Sequence, residues 1–264
     1  MGSFEFKKKF GQNFLTDKNL LEEIVLKAGV SSEDTVIEIG AGKGALTEAL
    51  SKHAKRVISF EIDSELFDFL TEKFNGSNIE FVFEDVMNVS DEKINEIAGG
   101  KFKLVANLPY YVTSPILTRF MQNENMVSCT VMVQEEVADR IIAVPKTKDY
   151  GVLTVICQMF GKASKVMRVN RKMFYPVPNV DSAVVRITKT ENGLENKKLL
   201  GVIELAKKAF SMRRKKLSTN LESLKISKQK IEELLVKRGY GESARAEELS
   251  IEDFIWLYDE LESR

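Results

Sequence analysis

From Thr35 onward the chain alternates between short apolar runs and stretches with a helical repeat. Thr35-Val36-Ile37-Glu38-Ile39 predicts a buried strand, and a helix from Ala45 to His53 follows its glycine-rich turn. Arg56 to Phe60 predicts a second strand, which feeds a helix over Glu65 to Phe74. Ile79 to Phe83 is the third strand, Leu104 to Ala106 the fourth, and Val127 to Val133 the fifth, with another helix after it. Repeated strand–helix units of this size imply a parallel sheet with helices on both faces. Ligands in such sheets bind beyond the C-terminal ends of the strands.

On either side of this run the pattern differs. An amphipathic helix is predicted from Asp17 to Ala28, after a basic opening whose Phe10 and Phe14 suggest that it packs onto something. Tyr150 to Phe160 carries β-branched Val152, Val155 and Ile156, but its length favours a helix. Ser164 to Val169 and Ala183 to Thr188 predict two closing strands, joined by Phe174-Tyr175-Pro176-Val177-Pro178, whose prolines read as a rigid loop. Past about Glu191 only helical repeats remain, over Leu199 to Phe210, Lys228 to Arg238 and Ile251 to Leu261. The expected division is an α/β domain over 1–190 and a small all-α domain over 191–264.

Composition limits the partners. The 39 basic and 39 acidic residues cancel, so binding to an anionic polymer would require a local patch. Cys129 and Cys157 have neither CxxC spacing nor a histidine partner, His53 being the sole histidine, which argues against a metal site and a cysteine nucleophile. Two buried, reduced thiols in a cytoplasmic protein are expected. No apolar run reaches membrane-spanning length, and Phe6 stands where a myristoylation signal needs Ser or Thr.

The candidate chemistry lies at four strand ends. Gly40-Ala41-Gly42-Lys43-Gly44 is either a tight βα turn or a turn that lets a cofactor approach the backbone. Glu61, at the end of the second strand, is placed to hold a ribose diol; a nicotinamide enzyme would share both features. Asp85 ends the third strand and could accept from an adenine amine, or be a surface carboxylate. Asn107-Leu108-Pro109-Tyr110 ends the fourth and is also compatible with an ordinary turn. Its chemistry suits a planar amine: the Asn107 side-chain oxygen and the Leu108 carbonyl can each accept one N–H. That favours a tetrahedral nitrogen whose lone pair points at an electrophile. Tyr110 offers a stacking face. The four ends together are what an S-adenosylmethionine site needs.

With these motifs in order, the chain resembles the KsgA/Erm family of ribosomal RNA adenine N6-dimethyltransferases. The resemblance rests on Phe10-Gly-Gln-Asn-Phe-Leu15, Glu38-x-Gly-x-Gly-x-Gly44, Glu61-x-Asp63, Asn107-Leu-Pro-Tyr110, Phe174-x-Pro-x-Pro-x-Val-Asp-Ser182 and Ala209-Phe-x-x-Arg-Arg-Lys215. It implies a Rossmann-like class I methyltransferase fold with a seven-stranded, mostly parallel sheet and one antiparallel strand. It further implies cofactor contacts from Asn13, Leu15, Gly40, Gly42, Glu61, Asp85 and Asn107, and a flipped adenine held between Tyr110 and Phe174.

Lys7, Lys8 and Lys9, with Lys207, Lys208, Arg213, Arg214, Lys215 and Lys216, are either a solvated face or phosphate contacts; beside an adenine pocket the second reading is better. Leu108, Asp181 and Arg245-Ala-Glu-x-Leu249 favour the small-subunit type, acting on two adjacent adenines near the 3′ end of its rRNA in a pre-30S particle, over the Erm type. A monomer is expected. Two departures from the family pattern are Glu84, where Gly is usual, and Glu135, where Lys is common. The rival readings are an assembly factor that acts mainly by binding, which would leave Asn107 replaceable, and a nicotinamide dehydrogenase, for which no proton-relay pair can be placed.

Overall fold

The structure is a computed structural model that describes residues 14–15, 17–190 and 196–262. Asn13, Lys7, Lys8 and Lys9 lie outside the described residues. Nine strands are described: β1 (Phe14–Leu15), β2 (Thr35–Ile39), β3 (Arg56–Phe60), β4 (Ile79–Val82), β5 (Phe102–Asn107), β6 (Met126–Gln134), β7 (Gly161–Val169), β8 (Phe174–Tyr175) and β9 (Ser182–Lys189). The helices are α1 (Lys18–Ala28), α2 (Ala45–Ser51), α3 (Phe67–Lys73), α4 (Asp91–Ala98), α5 (Thr113–Phe120), α6 (Glu135–Ile141), α7 (Val152–Phe160), α8 (Asn196–Ala209), α9 (Leu217–Leu221), α10 (Lys228–Lys237) and α11 (Ile251–Glu262).

Seven strands form one sheet in the order β4-β3-β2-β5-β6-β9-β7. The pairs from β4 to β6 are parallel, and β9 runs antiparallel to β6 with Gln134 opposite Ser182. The order reverses between β2 and β5, which opens a crevice at their C-terminal ends, where Gly40 and Asn107 follow or close the two strands. Each connection has a local cause. The Asp17 carboxylate caps α1 by accepting from the N–H groups of Asn19 and Leu20. Ser90 does the same for α4 through Lys93. Thr113-Ser114-Pro115 opens α5, where proline in the first turn sacrifices no helical bond.

Contacts divide the chain into one unit of residues 1–138 and 162–189 and another of 139–161 and 190–264. This differs from a single boundary at 190, because residues 139–161 bond within the second unit. The Tyr150 hydroxyl donates to the Leu249 carbonyl at 2.8 Å, and the Lys146 N–H donates to the Glu247 carbonyl at 2.7 Å. Arg213 donates to the carbonyls of Lys148 and Tyr150 and pairs with Glu247. The Phe210 ring lies 6.0 Å from Tyr150 and 5.9 Å from Phe254, forming the aromatic centre of this helical unit.

In the first unit the core packs α1 and α2 against one sheet face through Ile24, Val25, Leu46, Leu50, Val36 and Val57. Cys129 and Cys157 are both buried. No described helix is long and apolar enough to cross a membrane. The Phe174-Tyr175 segment is not a loop as expected: it is β8, paired antiparallel with β1 so that Leu15 lies opposite Phe174. Tyr175 is exposed, whereas the Phe174 ring is only 3% exposed within the core cluster, since its apolar surface finds Leu15, Val169 and Val184 there.

Candidate active site

The four strand ends converge on one cavity of about 240 Å³ in the first unit, lined among others by Leu15, Gly40, Gly42, Glu61, Asp85 and Asn107. Its walls are mostly apolar and include the acids Glu61, Glu84 and Asp85. This is the usual composition of a site for a ligand with a ring and a few polar groups.

The glycine turn is built for close approach. At Gly42, with φ +53°, a Cβ would come within 2.8 Å of the Phe14 ring. At Gly40 the position of a Cβ meets nothing nearer than the Asn107 carbonyl at 4.0 Å, so the backbone there borders open space. Glu61 is 4% exposed, and its two oxygens accept from the N–H groups of Gly42 at 2.8 Å and Asp63 at 2.9 Å. These bonds fix the carboxylate against the turn. Each oxygen keeps further lone-pair capacity, which a pair of ribose hydroxyls requires. Asp85 accepts from the Met87 N–H at 2.9 Å, opening a short 3-10 turn that brings Val86 and Met87 to the cavity. Arg119 holds that turn from behind. Its guanidinium donates to the carbonyls of Val86 and Val89 and pairs with Asp91 at 3.0 Å.

Asn107 is the last residue of β5, and Leu108 continues the strand's path by donating its N–H to the Met132 carbonyl at 3.2 Å. The Pro109 carbonyl accepts from the Val112 N–H and the Thr113 hydroxyl, which closes the turn and leads directly into α5. The turn is therefore rigid at both ends. Asn107 and Pro109 line the cavity, and Leu108 is buried. Tyr110 is half-buried, with its hydroxyl 2.9 Å from Ser182 Oγ; burial raises its pKa and this hydrogen bond opposes the rise. Phe174 does not line the cavity.

Beneath the turn, Glu38 is fully buried. Its Oε2 accepts from the Thr47 and Ser59 hydroxyls at 2.6 and 2.7 Å, while Oε1 has no hydrogen-bond partner among the described residues. Burial pushes its pKa up to about 7; the two hydroxyls oppose this and the charge of Glu61 adds to it. Glu135 pairs with Arg168 at 3.1 Å and Lys165 at 3.8 Å, so the acid at that position is neutralised within the sheet unit. Glu84 borders the cavity.

Lys207, Lys208, Arg213, Arg214, Lys215 and Lys216 are all exposed, but they are not equivalent. Arg213 is tied to its own unit as described above, and Lys207 pairs with Glu204. Sequence reasoning missed Phe14, Lys43, Ile62, Met87 and Tyr111 as cavity residues. Ile62 lies between the two acids of the second strand end and Tyr111 directly follows the Asn-Leu-Pro-Tyr turn, so adjacency to a motif was the available signal.

A family profile described as ribosomal RNA adenine dimethylase matches residues 3–263. The chain belongs to the ribosomal RNA adenine dimethylase family. It is 43% identical over 261 residues to a ribosomal RNA small subunit methyltransferase A from Caldanaerobacter subterraneus, covering 97% of each chain. It is 42% identical to the protein of that name from Bacillus licheniformis, covering 98% of this chain and 92% of the relative. Among solved structures, it is similar to a dimethyladenosine transferase from Plasmodium falciparum, with 26% identity, 95% and 98% coverage and a TM-score of 0.77. The 23S rRNA methyltransferase ErmE matches with 29% identity, 95% and 100% coverage and a TM-score of 0.71. Members of this family are rRNA adenine dimethyltransferases, and the class I methyltransferase fold expected from the sequence is the one described above.

Proposed function

We propose that this family member dimethylates the N6 amines of two adjacent adenines in a hairpin near the 3′ end of small-subunit rRNA, using S-adenosylmethionine, within a pre-30S particle. The observation that carries the reading is the convergence of Gly40, Glu61, Asp85 and Asn107 on one cavity at the switch point of the sheet. The small-subunit assignment is supported by the high identity to relatives bearing that name, against a lower identity to the large-subunit enzyme.

S-adenosylmethionine, when bound, supplies an electrophilic methyl group on a sulfonium. The chain's residues supply the rest. Glu61 would hold the ribose hydroxyls, Asp85 the cofactor's adenine amine, and the backbone at Gly40 and Gly42 would leave room for the ligand's chain. Asn107 and the Leu108 carbonyl would accept the N–H groups of the target amine and draw its lone pair out of the ring. That stabilises the reacting geometry more than the resting base. Tyr110 would stack on the extruded base. Phe174 would cover the second face; since its ring is buried in β8, that contact requires β8 to shift. Asn13 would complete the cofactor site. Lys208, Arg214, Lys215, Lys216 and the basic residues Lys7, Lys8 and Lys9 would meet RNA phosphates. The protein would act as a cytoplasmic monomer with no metal.

The test is incubation with radiolabelled cofactor and separated, undermethylated ribosomal subunits, using wild type and Asn107→Ala. Label in the small-subunit rRNA with wild type, and at least a hundredfold less with the variant at unchanged RNA affinity, is expected. Label in the large-subunit rRNA would favour the Erm-type reading. Full turnover by the variant would remove the role given to Asn107.

A further inference from the structure

The Tyr110 hydroxyl shares a hydrogen bond of 2.9 Å with Ser182 Oγ. Ser182 is fully buried and is the first residue of β9, where it lies opposite Gln134 of β6. Its backbone is therefore fixed by the sheet, while Tyr110 sits in a turn beyond the end of β5. A half-buried tyrosine in a turn can rotate about two side-chain bonds; a hydroxyl anchored on a strand removes that freedom.

The residue before Ser182 acts on the same region. The Asp181 carbonyl accepts from the Glu135 N–H at 3.0 Å, and its carboxylate accepts from the Arg171 N–H at 3.1 Å and from Arg168 at 3.2 Å. Arg171 in turn donates to the Asn179 carbonyl at 2.7 Å, closing the segment that contains β8. So the start of β9 is held from several sides, and it is a firm base for the tyrosine.

We infer that Ser182 is a positioning residue, which fixes the plane of the Tyr110 ring so that an extruded adenine meets a preset stacking face. The inference rests on the reading of Tyr110 as the ring that holds the target base. Ser182 touches neither substrate nor cofactor; it works through the tyrosine. A preset ring lowers the orientation cost of reaching the reactive arrangement. It therefore acts on turnover of RNA and not on cofactor binding, because Tyr110 and Ser182 both lie outside the lining of the cofactor cavity.

The experiment compares Ser182→Ala, Tyr110→Phe, the double variant and Tyr110→Ala by kcat and KM for an undermethylated small subunit, with the cofactor Kd measured by calorimetry. Ser182→Ala and Tyr110→Phe should each lower kcat about tenfold, the double variant should be no worse than either, and the cofactor Kd should be unchanged. A merely structural serine would instead lower thermal stability and cofactor affinity while leaving the two substitutions additive. Additive losses, or a Ser182→Ala enzyme with wild-type kcat beside an inactive Tyr110→Ala, would overturn the positioning role and leave the stacking role standing. If Tyr110→Ala retains full turnover, the stacking role itself fails. Should Ser182→Ala not fold, Tyr110→Phe carries the test alone, since it removes the same hydrogen bond without touching the strand: a tenfold lower kcat supports the inference and an unchanged kcat refutes it.

Discussion

Glu38 gives a sharp test of the electrostatics under the glycine turn. Its carboxyl is fully buried, both donated hydrogen bonds fall on one oxygen, and its pKa is pushed up to about 7 from 4.5. The folded state thus holds a proton that the unfolded chain releases at lower pH. The stability contributed by the neutral acid is complete below about pH 4.5 and is lost as pH rises to about 7. Moving a carboxyl across that interval corresponds to about 3 kcal/mol, of which about 2 to 3 falls between pH 5 and pH 8. Glu38→Gln keeps an acceptor for Thr47 and Ser59 and cannot ionise. Its amide brings two N–H donors where the neutral acid has one O–H, at an atom with no hydrogen-bond partner among the described residues, and the additional unmet donor costs about 1–3 kcal/mol at every pH. Wild type should therefore be the more stable at pH 5, and the gap should close or reverse by pH 8. Urea unfolding of both proteins across this range measures the difference, in which all other titrating groups cancel. Parallel stability–pH curves would show that Glu38 is ionised in the fold and would refute the reasoning.

Three other outcomes follow from the geometry. Gly44→Ala should destabilise the protein by about 2–4 kcal/mol in urea unfolding, since its φ is +74° and a Cβ would come within 2.5 Å of the Phe74 ring; a loss below about 0.5 kcal/mol would mean that the ring moves freely. Arg119→Ala should raise the cofactor Kd about tenfold by calorimetry, as the two hydrogen bonds to the carbonyls of Val86 and Val89, in the turn that follows Asp85, are lost, and should leave RNA affinity alone; an unchanged Kd would mean that the turn holds its shape without the guanidinium. Replacing Lys208, Arg214, Lys215 and Lys216 by Ala, while keeping Arg213 for its bonds to Lys148 and Tyr150, should reduce the slope of log affinity against log salt for rRNA by about 2–4. A slope that does not change would return these residues to a solvated surface.

Much of the α/β unit is legible along the chain because β2, β3, β5 and β6 are buried along almost their whole length and so read as continuous apolar runs, while β2 to β5 are followed or closed by Gly40, Glu61, Glu84-Asp85 and Asn107. Those end residues are also the proposed ligand contacts, which is why Gly40, Glu61, Asp85 and Asn107 can be picked out before any coordinates. The pattern does not announce α4, α5 or α9: α5 carries a proline that pattern alone treats as a break, and α9 is a single turn of five residues. The boundary near residue 190 marks where strand patterning stops, but Tyr150 and its neighbours bond to residues near 247 and 249, and no local signal announces that.

By itself the sequence determined the strand–helix alternation, the residues at the strand ends and the family motifs, because these depend on period and order. Only the tertiary structure decided three matters. It paired Leu15 with Phe174 and so buried a ring expected to face a base. It left one Glu38 carboxyl oxygen without a hydrogen-bond partner among the described residues. It set the Tyr110 hydroxyl on Ser182. Each arises from contacts between segments distant in the chain, where burial and hydrogen bonding depend on what the fold brings alongside, and a residue's own neighbours in sequence carry no record of that.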